Sequence, residues 1–278
     1  MSAPGVLLPA GGRLLASRRA SWLCLVLAAL LGACAAVGPS AGQRDLRTDS
    51  DLTEADRLAQ VRLELASAYF ARGQTEIALD EVKQALVANP NLAAAHELRG
   101  LVYAQLGETA LAEESFARAL QLAPRSASTM HNVGWYSCQQ QRWAEADRWF
   151  GRALAQPGYR DAVRTLLAWG VCLQRAGQLD TARDRLAQAL EREPDHVLAA
   201  YHLAEVHYLR RDDAAARSLL MRLRARGPEL GAPALWLGVL VERRRGDAAA
   251  AEAWGRQLLE RFPESAPAQR YREGRFDD

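Results

Sequence analysis

Few side chains in this 278-residue chain could do covalent chemistry, and the cysteines are the plainest candidates. Cys24 and Cys34 stand in or just behind an apolar N-terminal run, whereas Cys138 and Cys172 lie 34 residues apart in the body of the chain. A thiol directly behind small residues, as in Leu31-Gly32-Ala33-Cys34, is open to lipid attachment. Two thiols at equivalent points of a periodic structure are open to oxidation. The five histidines invite a metal reading, because His202 and His207 share one helical stretch. Residues five apart do not share a helix face as residues four apart do, and His196 precedes them on a turn. They read as core or surface histidines, and neither a metal site nor a cofactor is expected. The chain has no Gly-x-Ser-x-Gly elbow, Walker loop or dinucleotide glycine fingerprint, so no catalytic residue is assigned. The expectation is a non-enzymatic binding protein.

The N-terminus has the zones of an export signal. Arg13, Arg18 and Arg19 are basic, no acidic residue precedes Asp45, and Leu23–Leu31 is almost wholly apolar. That run is shorter than the ~20 residues a membrane-spanning helix needs. The Leu31-Gly32-Ala33-Cys34 junction resembles a bacterial lipobox, in which the cysteine thiol takes a diacylglycerol, the leader is cut away and the new amino terminus is acylated. Two or more acyl chains anchor stably where one does not. Ala35 and Ala36 lack the aspartate that retains such lipoproteins in the inner membrane. The resemblance therefore implies an outer-membrane lipoprotein on the periplasmic face, a substrate for palmitate labelling, lipidated at Cys34. An ordinary cleavage site near Cys34, or a mis-assigned start and a cytosolic product, are the alternatives.

Residues 1–34 carry three arginines and no acid, so residues 35–278 hold 32 bases against 33 acids, a net −1. That balance does not favour nucleic acid as a partner. Lys83 is the only lysine, which reads as codon bias rather than as a binding feature.

The elements that position all this are legible as a repeat. Prolines recur at 90, 124, 157, 194, 228 and 263. Between them a small-residue and aromatic cluster is followed by a Gly, an Ala five residues on, an apolar residue four beyond, and Ala or Leu three beyond that. Gly100-Tyr103-Gly107-Ala112-Phe116-Ala119-Pro124 is the clearest copy. Gly73, Gly107, Gly177 and Gly246 fit left-handed turns after a first helix. Ala78, Ala112, Ala146, Ala182, Ala216 and Ala251 fall where two helices approach closely. Val82, Phe116, Phe150, Leu186 and Leu220 fill the gap one turn on. One such pair cannot bury its apolar face alone, and a stack of them can.

This pattern resembles the tetratricopeptide repeat, which implies an all-α right-handed superhelix of about six helix-turn-helix units. The expected organisation is a signal peptide over 1–33, an acylated cysteine and flexible tether over 34–55, repeats over 56–265, and a C-terminal cap and tail over 266–278. Arg99 in an apolar position, Arg211 in place of the turn glycine and Gly255 in place of a filler depart from the pattern.

First helices line the inner face of such superhelices, so the resemblance places Leu63, Ser67 and Phe70, then Glu97, Leu101 and Ala104, along a groove. His131 and Trp135, then Leu167, Val171 and Gln174, then Tyr201, Glu205 and Tyr208 continue it. The lining reads as apolar and aromatic, without the clustered Lys and Arg that clamp a terminal carboxylate in some chaperone-binding repeat proteins. An apolar peptide segment is the expected occupant, although any one of these residues could instead pack against a neighbouring helix. Cys138 and Cys172, on the first helices of adjacent repeats, are candidates for a disulfide or for two buried thiols.

The run HisAsnValGlyTrpTyrSerCysGlnGlnGlnArgTrpAlaGluAla (131–146), the first-repeat run ArgLeuGluLeuAlaSerAlaTyrPheAlaArgGlyGlnThrGluIleAlaLeu (62–79) and the ending ArgPheProGluSerAlaPro (261–267) are similar to the type IV pilus biogenesis and stability lipoproteins of the PilF/PilW (pilotin) group. Lipobox, six repeats and paired cysteines are also that group's layout. The resemblance implies a monomeric outer-membrane scaffold that binds the secretin subunit or other type IV pilus proteins. Such a scaffold would support secretin localisation and multimerisation, or fibre stability. It also implies partner contact through the first repeat, at Leu63, Ala66, Phe70 and Leu65. Ser137 stands where that group is expected to be apolar. The alternative is another periplasmic repeat lipoprotein, serving β-barrel assembly or murein-enzyme recruitment.

Overall fold

The computed structural model describes residues 52–225 and 230–276; Cys34, the expected leader and Pro228 lie outside the described residues. Thirteen helices and no strand occur among those residues. They run α1 Glu54–Ala71, α2 Thr75–Ala88, α3 Ala93–Leu106, α4 Thr109–Leu122, α5 Ala127–Gln139, α6 Trp143–Leu154 and α7 Ala162–Arg175. Next come α8 Leu179–Arg192, α9 Val197–Leu209, α10 Asp213–Ala225, α11 Ala232–Arg244, α12 Ala248–Arg261 and α13 Ala266–Arg272. None is long and apolar enough to cross a membrane. The first helix begins at Glu54, inside the span expected to be tether. Thr53 ends that tether early by capping the helix: its hydroxyl accepts from the Asp56 amide at 3.1 Å, and the Asp56 carboxylate accepts from the Thr53 amide at 3.1 Å.

Within each pair one contact recurs, a small residue on the first helix against a large one sixteen positions later on the second. Ala66 meets Val82 and Ala204 meets Leu220 in this register, all four buried. Where the small residue is glycine the approach is closer still. A Cβ on Gly100 would lie 2.7 Å from the Phe116 ring, one on Gly134 2.9 Å from Phe150, and one on Gly170 2.5 Å from Leu186. The sixth pair keeps the sixteen-residue spacing, with Gly238 beneath Trp254, but both stand one residue earlier relative to the turn glycine Gly246. That shift explains Gly255, which leaves room for the ring of Tyr271 from α13.

The connecting turns need a left-handed residue. Gly73, Gly107, Gly177 and Gly246 supply it, with φ between 75° and 80°, but Gln141 (φ 58°) and Arg211 (φ 64°) do the same work with a side chain. The Arg99 departure is also accommodated: its guanidinium donates to the wholly buried Ser115 hydroxyl at 2.9 Å, so the polar group enters the α3–α4 seam already partnered. Ser137 is wholly buried, and its hydroxyl finds no partner among the described residues.

Pairs stack so that each first helix packs on both helices of the pair before it: α3 on α1 and α2, α5 on α3 and α4, and onward to α11. The backbones of successive second helices stay apart, although the Arg224 guanidinium of α10 reaches to 4.7 Å from the Trp254 ring centroid of α12. The first helices therefore crowd together along the inside of a superhelix while the second helices splay outward.

If the small-against-large contact sets the pairing, overfilling it must cost stability. Gly170→Val is expected to lower the unfolding free energy by about 1–3 kcal/mol in urea titrations. Gly151→Ala, in α6 with its nearest outside side-chain atom 3.8 Å away, is expected to raise it by up to about 1 kcal/mol through helix propensity.

Candidate functional site

The row of first helices encloses a concave cavity of about 700 Å³, lined only from α1, α3, α5, α7 and α9. Phe70, Leu101 and Ala104 contribute one wall, His131 and Trp135 the floor, and Leu167 and Val171 the other wall. These come together because residues four apart on one helix share a face, and because stacking brings the same face of successive first helices side by side.

Other residues expected along the groove do different work. Ala66 is wholly buried against the second helix, and Leu63 is nearly so in the same core; neither presents surface to a partner. Tyr208 is covered by the Arg244 guanidinium, 3.7 Å from its ring centroid, and Arg244 is fixed by Asp213 and by the Tyr208 carbonyl. Tyr201 packs edge-on against His202, with centroids 4.9 Å apart, and donates to Glu205 at 3.4 Å. Neither tyrosine lines the central cavity. At the C-terminal end the chain covers its own inner face, with Phe276 stacked on Trp236 at 5.7 Å and Arg243 set 3.6 Å from the Phe276 centroid.

Two arginines were missed by inspection of the sequence. Arg164 and Arg175 sit at opposite ends of α7 and both line the cavity, Arg175 with its guanidinium 5.2 Å from the Trp135 centroid. They stand apart at the two ends of α7 rather than clustered as in a carboxylate clamp. The signal was present as spacing: eleven residues is close to three helical turns, so the two share α7's inner face.

Two acids of the neighbourhood, Glu97 and Glu205, are already engaged. Glu97 accepts from Asn132 at 2.6 Å and from Thr129. Glu205 is half-buried, which alone would raise its pKa, yet hydrogen bonds from His202, Gln174 and Tyr201 hold it below the usual carboxylate range. Of the lining residues none is Asp or Glu. His131 is buried, with Nδ1 2.9 Å from the Thr165 hydroxyl, which in turn is 2.7 Å from the Tyr159 hydroxyl. Burial, helped by the charge of Arg164, lowers the His131 pKa to about 4, so the imidazole is neutral at pH 7.

Behind the floor, Cys138 of α5 and Cys172 of α7 are joined as a disulfide, with Cα atoms 5.8 Å apart and both residues buried. The bond ties together the two helices that carry Trp135, Val171 and Arg175. His202 and His207 have separate partners, Glu205 at 3.2 Å and Asp212 at 3.0 Å. No group of three or more His, Cys, Asp or Glu side chains gathers among the described residues.

A second feature stands on the other side of α1. Leu58, Val61 and Leu65 form a stripe at helical spacing and are 51%, 54% and 41% exposed. Matching positions of α3, α5, α7 and α9 are buried under the preceding pair, at Ala95, at Thr129 with Val133, at Thr165 with Trp169, and at Ala199 with Leu203. No pair precedes α1 among the described residues, and this face of it is exposed.

Tetratricopeptide-repeat family models match residues 63–127, 126–155 and 173–237. The type IV pilus assembly protein PilF of Pseudomonas aeruginosa is 28% identical over 249 residues, covering 90% of this chain and 96% of that protein. The crystal structure of PilW, described as a widely conserved type IV pilus biogenesis factor, superposes with a TM-score of 0.71 at 29% identity, covering 77% of this chain and 98% of PilW. The solved Pseudomonas aeruginosa PilF gives a TM-score of 0.68 at 25% identity over 80% of this chain and all of its own.

The neutral His131 carries a pH signature. Its folded pKa lies below the unfolded value near 6.5, so the unfolded chain binds the extra proton first. This contribution to stability is complete above pH 6.5 and is lost as pH falls toward 4, by up to about 3 kcal/mol. Urea titrations at pH 7 and pH 4.5 should therefore show a smaller acid loss in His131→Gln than in the parent chain; equal losses would show that His131 does not titrate as argued.

Proposed function

Since the chain is a tetratricopeptide-repeat protein closely related to the type IV pilus biogenesis factors PilF and PilW, we propose that it is a non-enzymatic scaffold of type IV pilus biogenesis. In this reading it acts as a pilotin, held by acyl chains on Cys34 at the periplasmic face of the outer membrane. It binds the secretin subunit and supports its multimerisation there. Tethering is the whole mechanism, since holding partner and membrane together raises their effective concentration without any bond being made or broken.

The observation that carries the reading is the bare stacking face of α1. The face that α3, α5, α7 and α9 bury against a neighbour is left exposed on α1 at Leu58, Val61 and Leu65. A partner helix can pack there as the missing neighbour would. Partner contact through the first repeat would thus run along this face and through Phe70, rather than through the buried Leu63 and Ala66. The concave cavity is the second contact, taking an extended segment of the same or another pilus protein.

Deleting the gene is expected to abolish heat-resistant secretin multimers in outer-membrane fractions. The double variant Val61→Glu, Leu65→Glu should do the same while keeping the parent's thermal transition, because these side chains are solvent-facing. Normal multimers with a folded double variant would remove the α1 face from the account. Normal multimers in the deletion strain, with pili lost, would move the role from secretin assembly to the fibre.

A further inference from the structure

We propose that the concave cavity recognises an extended protein segment in which acidic side chains flank a short apolar run. The proposal rests on the reading that this cavity receives a polypeptide, and it names the chemistry of that polypeptide.

Three observations carry it. The first is charge. The chain as a whole is nearly balanced, with 35 basic and 33 acidic residues, yet the cavity lining holds Arg164 and Arg175 and no carboxylate. Both arginines are exposed, and neither forms an ion pair with another described residue. Of the nearby acids, Glu97 and Glu205 are occupied by Asn132 and Thr129, and by His202 and Tyr201, while Asp161, three residues before Arg164, lies outside the lining. His131 is neutral and adds no competing charge.

The second observation is spacing. Eleven residues of α7 separate the arginines, about 16 Å along the axis at ~1.5 Å per residue. An extended chain covers that distance in about five residues at ~3.3 Å each. The surface between them is apolar, formed by Leu167, Ala168 and Val171 with Leu101 and Trp135 opposite. A complementary segment thus places carboxylates about five residues apart with aliphatic or aromatic side chains between.

The third is rigidity. The Cys138–Cys172 bond lies three residues beyond Trp135 and one beyond Val171, and Arg175 is stacked on Trp135. The receptor geometry is set before a ligand arrives, which reduces the ordering cost of binding.

The test uses the purified full-length protein in detergent and three dye-labelled synthetic peptides. They share one apolar core and carry Glu, Gln or Lys at both flanks. Fluorescence anisotropy is expected to show the Glu peptide binding about ten-fold tighter than the Gln peptide, and the Lys peptide weaker than either. The gap should narrow as salt is raised. The double variant Arg164→Glu, Arg175→Glu changes only exposed positions and should keep its helical circular dichroism while reversing the order to favour the Lys peptide. If the Gln and Glu peptides bind equally and Leu101→Glu weakens both, the cavity still takes peptides but the acidic preference is wrong. If none of the three binds, the cavity reading falls and this proposal falls with it.

Discussion

The contact of a small residue on each first helix with a large one on its partner is the constraint on which the rest of the molecule depends. A Gly or Ala lets two backbones approach until Val82, Phe116, Phe150, Leu186, Leu220 or Trp254 fills the space over it. The pairing fixes which face of each first helix is spent inside its own pair. What is left is divided between the preceding pair and the inner surface. Because the backbones of the second helices stay apart on the outer side, the inner surface is built from first helices alone, and the cavity lining obeys that rule without exception.

A one-dimensional stack has two ends, and the described ends differ. At the C-terminal end α13 lays Tyr271 over Gly255, and the tail sets Phe276 on Trp236. The last pair is thereby sealed, and part of its concave face is covered. At the first pair the equivalent surface is bare, with Leu58, Val61 and Leu65 in solvent. Each later pair loses that area to its neighbour, so the first pair alone among those described keeps an unsatisfied apolar face. Asymmetry of this kind gives the scaffold a direction, with a closed end and a receptive one.

Much of this was legible in the sequence, because the repeat rests on residues whose size is their function. Gly100, Gly134 and Gly170, the fillers sixteen positions on and the turn glycines announce themselves by type and spacing, and six registers together leave little doubt about the stack. The groove was only half legible. Phe70, Leu101, His131, Trp135 and Leu167 were found because they repeat at one helical position. Ala66 and Leu63 were misplaced because one helix face blends into the next, and a shift of one position converts lining into core. Tyr208 was lost to Arg244, a partner 36 residues away that no local pattern reveals. The sixth repeat hid its register because Gly238 and its filler Trp254 both stand one residue earlier relative to Gly246, and Gly255 in the usual filler place leaves room for Tyr271.

The electrostatics of the groove could not have been read from composition. Two arginines in a chain with 35 basic residues carry no signal until their surroundings are known. Their meaning depends on what Glu97 and Glu205 are doing, and both carboxylates are claimed by neighbours through hydrogen bonds from uncharged and imidazole groups rather than from Arg164 or Arg175. Had either acid instead reached an arginine, the pair would have been nearly neutral and worth little. By satisfying the acids locally and keeping His131 uncharged, the fold leaves the positive charge unspent and facing the hollow. An interaction surface is defined as much by which of its charges are silenced as by which remain, and that is decided by packing rather than by sequence.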